Sequence, residues 1–154
     1  MVQSLRVIIW LLSLVGLAEA LYFTHAYYGR VRRARWVPKI LCAREGSSCV
    51  TVLQTAYARV FGVPNSLLGI VYYLAVMLWL PWPRDVHGVE TYAYLFLFLT
   101  GALMLASAAT VILGGYLVYA LRRQLHTHCA LCYTAHAINL ALFALLVVYC
   151  RAVI

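Results

Sequence analysis

Four long apolar stretches, separated by polar intervals, dominate the chain at about residues 7–29, 64–82, 92–119 and 129–150. A helix crosses a hydrocarbon core of about 30 Å with about 20 residues, so each stretch is long enough to span it. Spanning segments must satisfy their own backbone groups in lipid, which makes helices the expected form. Pro64 suits the first turn of the second helix, and Pro81 with Pro83 marks its end. The third stretch exceeds what a bilayer requires and is expected to tilt or project. On it Ala102, Ala106, Thr110 and Gly114 fall four apart, the pattern of a close-packing face. Trp36, Trp79, Trp82, Tyr92, Tyr116 and Tyr149 lie near the segment ends, as in aromatic belts.

Between the first two spans the pattern changes. Residues 51–62 predict a short amphipathic helix, with Val50, Leu53, Tyr57, Val60 and Phe61 sharing an apolar face. It reads equally well as a lid over the bundle mouth or as an ordinary interfacial helix. The fold class expected is therefore an all-α integral membrane protein. A single domain over 1–154 holds a four-helix transmembrane bundle, with a polar loop and short lid helix at 30–63. There is no internal repeat and no low-complexity tract.

Composition strengthens this picture. The 154 residues are 66% hydrophobic and only 10% charged, against about 25% charged in a soluble domain. The first apolar stretch exceeds a signal-peptide core and lacks a small-residue cleavage site before its arginine cluster, so it is expected to be retained. The net charge of +8 resembles a nucleic-acid signal, but in a membrane chain such charge encodes topology, and no nucleic-acid partner is expected. Arg6, Arg84 and Arg151 fall on one side. Arg30, Arg32, Arg33, Arg35, Lys39, Arg44, Arg59, Arg122 and Arg123 fall on the other. Positive residues mark the cytoplasmic side, so the cysteine-bearing loops are expected inside and both termini outside. Cytosolic thiols are normally kept reduced, which makes that side an unusual one for disulfide chemistry.

The chemistry lies in the cysteines. Cys42 and Cys49 flank a segment with Gly46, Ser47 and Ser48, whose freedom lets the two thiols bridge or separate. Cys129-Ala130-Leu131-Cys132 opens the fourth span, with Thr127 as its expected N-cap. A helix N-terminus stabilises a thiolate, and Arg122 and Arg123 can add to this beside their role as topology flanks. Cys129, Cys132, His136 and Asn139 stand at i, i+3, i+7 and i+10, one helix face. His136 and Asn139 can bond a buried ligand's carbonyl or another helix. Asn65-Ser66 poses the same choice between capping and ligand binding. Glu19, costly in mid-span, calls for an interhelical partner or a proton route. His25 reads as packed or hydrogen-bonded, and Cys150 as a passive thiol near the opposite face.

Two loop cysteines, then Asn65-Ser66-x-x-Gly69, then Cys129-x-x-Cys132 with Ala137-Ile138-Asn139 resemble the vitamin K epoxide reductase family. Leu21-Tyr22-x-x-His25 does too, and the resemblance covers nearly the whole chain. It implies a four-helix bundle around a quinone, menaquinone or similar. It makes Cys129–Cys132 the active-site pair, with Cys132 nearest the ring, and Cys42 and Cys49 the shuttle pair. Cys42 would meet a separate thioredoxin-like or protein disulfide isomerase-like partner, and Cys49 would exchange with Cys129. Asn65 would bond a quinone oxygen, and Tyr73 falls near the pocket. Ala135-His136-Ala137 departs from the Thr-Tyr-Ala of the animal enzymes, the loop pair is one residue closer, no appended thioredoxin domain is expected, and the expected orientation is inverted. The rival reading is a membrane zinc protein using His126, His128, Cys129 and Cys132. Adjacent His128 and Cys129 strain tetrahedral closure, and that reading leaves Cys42 and Cys49 unused. A structural membrane subunit is the third reading.

Overall fold

The computed structural model describes residues 2–28, 52–60, 62–80, 90–126 and 129–153. Helix α1 spans Val2–Tyr27, α2 Asn65–Trp79, α3 Glu90–Arg123 and α4 Ala130–Val153. Helices α1, α3 and α4 are long and apolar enough to cross a membrane. Helix α2 is apolar but has 15 residues, about 22 Å at the helical rise. The span expected over 64–82 is thus shorter than predicted.

Contacts between the ends fix the helix directions. Arg6, early in α1, donates from its guanidinium to the Leu80 carbonyl at 2.9 Å, satisfying a carbonyl that the end of α2 leaves open. Thr24 Oγ1, late in α1, lies 2.9 Å from Ser66 Oγ at the start of α2. Trp79 Nε1 donates to Thr100 Oγ1 at 3.1 Å, and its ring stacks on Phe96, both early in α3. Trp79 also meets Tyr149 late in α4 edge-on. The helices therefore alternate in direction. Helix α1 packs on α2 and α4, and α4 on α3, more extensively than α2 packs on α3.

The surface is inverted relative to a soluble protein. Leu105 and Ile112 on α3 are each 75% exposed, and Phe98 and Leu78 nearly as much. The buried set mixes apolar side chains, Ile9, Val76, Leu142 and Leu146, with Ser13 and Ser107. Lipid supplies no hydrophobic drive between helices, so close packing and interhelical hydrogen bonds hold them. Tyr72 Oη and Ser107 Oγ make such a bond at 2.5 Å.

The segment expected to be an amphipathic lid helix over 51–62 takes another form. Helical geometry stops at Leu53. Thr55 closes that turn with both its N–H and its hydroxyl on the Val52 carbonyl. A 3-10 turn at Ala56–Ala58 follows, then a small hairpin of β1 Arg59–Val60 and β2 Val63–Pro64. Gly62 has φ +80°, a conformation that lets a two-residue loop reverse the chain, and paired Val60 and Val63 favour strands. Val50 and Phe61 lie outside the described residues.

Candidate functional site

The end of the bundle bearing Cys129 holds a second, smaller cluster. Val52, Leu121 and Cys129 are buried there, with Leu125, Leu131, Cys132 and Tyr133 packed around them. Helix α3 runs on to Arg123, past its expected end, and Leu125 N–H bonds back to the Ala120 carbonyl. His126 then takes φ +48°. Helix α4 begins at Ala130, which puts Cys129 at its N-cap. The Cys129 carbonyl accepts the Tyr133 N–H at 3.2 Å, and its Sγ accepts the Cys132 N–H at 3.4 Å. The expected cap, Thr127, lies outside the described residues; the sulfur itself fills the capping position. Negative charge on this sulfur is therefore favoured by the helix end.

Cys132 Sγ lies 2.7 Å from Cys129 Sγ, so the C-x-x-C pair is assembled. The two sulfurs face different surroundings. Cys129 is 0% exposed beneath Val52 and Leu121. Cys132 lines a cavity of about 510 Å³, lined by all four helices and covered in part by residues 52–60. That volume is in the range of small-molecule sites. The cavity walls are mostly apolar, and Asn65, Ser66, Thr110, His136 and Asn139 add polar groups.

Those expected site residues that fall among the described residues meet here. Asn65 lines the cavity and donates from Nδ2 to the Tyr57 carbonyl at 3.0 Å, tying the roof to α2, while its buried Oδ1 has no partner. Ser66 lines the wall and is held by Thr24, which also bonds the Ala20 carbonyl. Tyr73 donates to Asn139 Oδ1 at 2.7 Å. His136 reaches the cavity with its buried Nδ1 unpartnered. A Cβ on Gly114 would stand 2.9 Å from that nitrogen, so the glycine makes room for the ring. Cys42 and Cys49 lie outside the described residues.

Other expectations are redistributed. Ala106, Thr110 and Gly114 line the cavity, and Ala102 is exposed, so the small stripe of α3 serves the hollow rather than a tight helix seam. The tight seam is between α1 and α2, where Gly16 faces Tyr73 and Gly69 faces Ala20. Gly16-x-x-x-Ala20 in the sequence was the available signal for it. Arg122 sits over the Tyr133 ring at 5.5 Å. His25 is exposed and bonds the Leu21 carbonyl of its own helix. Cys150 packs on the main core. Among the described residues no three of His, Cys, Asp or Glu converge on a metal position, and His128 lies outside them.

A sequence model of the vitamin K epoxide reductase family matches residues 7–147. No curated protein matches the chain.

Proposed function

The chain belongs to the vitamin K epoxide reductase family, and on that premise we propose that it is a quinone-dependent oxidoreductase that generates disulfides. Membership makes it a membrane thiol oxidoreductase. The observation that carries the finer reading is the division of labour at the C-x-x-C pair: Cys132 borders an apolar cavity and Cys129 borders the roof. A redox pair with one sulfur toward each side is suited to passing electrons between a thiol and a lipid-soluble acceptor.

The cavity suits a quinone ring. It is large enough, mostly apolar, and offers Asn65 and His136, each with an unpartnered buried atom, as polar contacts. A bound quinone, menaquinone or similar, supplies a two-electron acceptor. Asn65 and His136 would hold its oxygens, and the Tyr73–Asn139 pair would border the ring. A thiolate of a separate thioredoxin-like or protein disulfide isomerase-like partner attacks the Cys42–Cys49 disulfide. The partner's second thiol then resolves the mixed disulfide, leaving both loop thiols reduced. Cys49 attacks Cys129 and releases Cys132 as thiolate in the first turn of α4, where the helix end favours negative charge. Cys42 closes on Cys49, and the remaining dithiol gives up two electrons and two protons as its disulfide re-forms. In the test, reduced partner dithiol is mixed with purified protein and menaquinone in detergent. Expected is one quinol per partner disulfide formed; quinol formation without partner oxidation would refute the route.

The bundle we propose has four crossings. Helices α1 and α3 run the same way, so a crossing must return the chain between them, and α2 is the described element that does so. The asymmetry of basic residues, nine against three, supports a cytoplasmic position for the cysteine end. A membrane-impermeant maleimide applied to intact cells is expected to leave Cys42 and Cys49 unlabelled until the cells are permeabilised. Labelling before permeabilisation would reverse the orientation.

A further inference from the structure

The bond between Tyr73 and Asn139 decides what the asparagine offers the cavity. Tyr73 is 3% exposed, its ring lies against Gly16 and the Tyr72 ring, and among the described residues its hydroxyl has Asn139 as its partner. A phenol that accepted from the amide would leave its own proton inside the bundle without an acceptor, whereas donating satisfies it. Asn139 Oδ1 is thereby taken. The Nδ2 group has no partner among the described residues and is left for the cavity that Asn139 lines. Neighbouring hydroxyls of the cavity wall are engaged: Thr110 donates to the Ser107 carbonyl at 2.7 Å, and Tyr72 and Ser107 bond each other. Asn65 spends an N–H on the Tyr57 carbonyl at the roof. Asn139 lies beyond Cys132 and His136 on the same face of α4, about 10.5 Å and 4.5 Å further along the axis at the helical rise. It therefore meets the hollow on the side away from the roof.

We propose that the Asn139 amide donates a hydrogen bond to the quinone oxygen that points away from the dithiol, and that Tyr73 is the positioning residue that turns the amide to do so. The inference rests on the quinone reading above and deepens it. An N–H group set in an apolar wall is matched by an acceptor that carries no proton of its own, and a quinone carbonyl is such a group. A para-quinone holds its carbonyls at opposite ends of the ring, so one can lie beside His136 while the other reaches Asn139. Negative charge builds on both oxygens as electrons arrive from sulfur. A donor already oriented toward the far oxygen stabilises that charge without having to reorganise, and it does so most strongly where water is excluded.

The test binds menaquinone, carbon-13 labelled at one carbonyl or at the other, to full-length oxidised protein in detergent. Isotope-edited infrared spectra read each carbonyl stretch, and the same titration gives the dissociation constant. N139L is expected to move the stretch of one carbonyl to higher frequency and to leave the other in place. It should also weaken binding about three- to tenfold, the loss of one neutral hydrogen bond. Y73F keeps the ring but frees the amide to turn, and should move the same stretch in the same direction by less. Loosened packing does not single out one carbonyl. N139L orphans the Tyr73 hydroxyl, so the double variant Y73F/N139L should melt above N139L and show the same band. Neither stretch moved in N139L and the double variant, or both moved alike, would overturn the proposal. If wild type binds menaquinone with these signatures but does not reduce it, the proposed function alone fails. If wild type binds no menaquinone, both fail.

Discussion

Alanine at Cys132 is expected to lower thiol-driven quinone reduction at least about a thousandfold, because residues acting as one redox unit lose nearly everything when one is removed. Cys132 is the cysteine that lines the cavity among the described residues, and its sulfur is 2.7 Å from Cys129 Sγ. Without it Cys129 has no disulfide with Cys132 for Cys49 to attack, and no disulfide can form at the cavity wall. Cys150 packs on the main core away from this cluster, so Cys150→Ala should stay within about twofold of wild type, as a mild change distant from the chemistry. Steady-state quinone absorbance measures both. Full turnover in Cys132→Ala would remove the proposed electron path, and a Cys150→Ala loss as large would show that the assay reads folding.

The opposite environments of the two sulfurs explain why the pair was only half legible in the sequence. Spacing alone puts Cys129, Cys132, His136 and Asn139 on one face of α4, and Cys132, His136 and Asn139 do line one cavity. Spacing does not say that Cys129 ends the helix. Its capping role comes from where α3 stops and how His126 turns the chain with a positive φ. That is tertiary information. The same holds for the roof. The apolar positions Leu53, Tyr57 and Val60 do reach the cavity, as an amphipathic face should. They arrive there from a 3-10 turn and a hairpin, because Gly62 and two valines made a tight reversal cheaper than a further helical turn.

The small residues of α3 show a different limit. A stripe of Ala106, Thr110 and Gly114 can let a neighbouring backbone approach, or can leave space. Sequence periodicity is identical for both. Here His136 enters the space at Gly114, and the rest remains open. Hydropathy predicted four spans and recovered three long helices and one shorter helix. The shortfall in α2 lies at its far end, where the helix stops at Trp79 and residues 81–89 lie outside the described set.

Gly16→Ala is expected to be the most damaging change outside the cysteines. A Cβ at position 16 would overlap the Tyr73 ring, which is 3% exposed and has no free direction in which to move. Overpacking of this kind costs about 1–3 kcal/mol, and here it also drags the Tyr73 hydroxyl from Asn139 Oδ1, a bond of 2.7 Å at the cavity wall. A displacement of about 1 Å at a reacting site costs about a hundredfold in rate. Gly16→Ala should therefore show both a lower melting temperature in detergent and a deep loss of quinone reduction. Tyr73→Leu alone removes the ring and the bond and should weaken activity without the clash. In the double variant the clash is absent, so its melting temperature should lie above that of Gly16→Ala alone, a non-additive pair as expected for residues in contact. Additive losses in the double variant, or a Gly16→Ala protein that melts and turns over like wild type, would show that α1 and α2 part easily at this seam and that Tyr73 is not held by it.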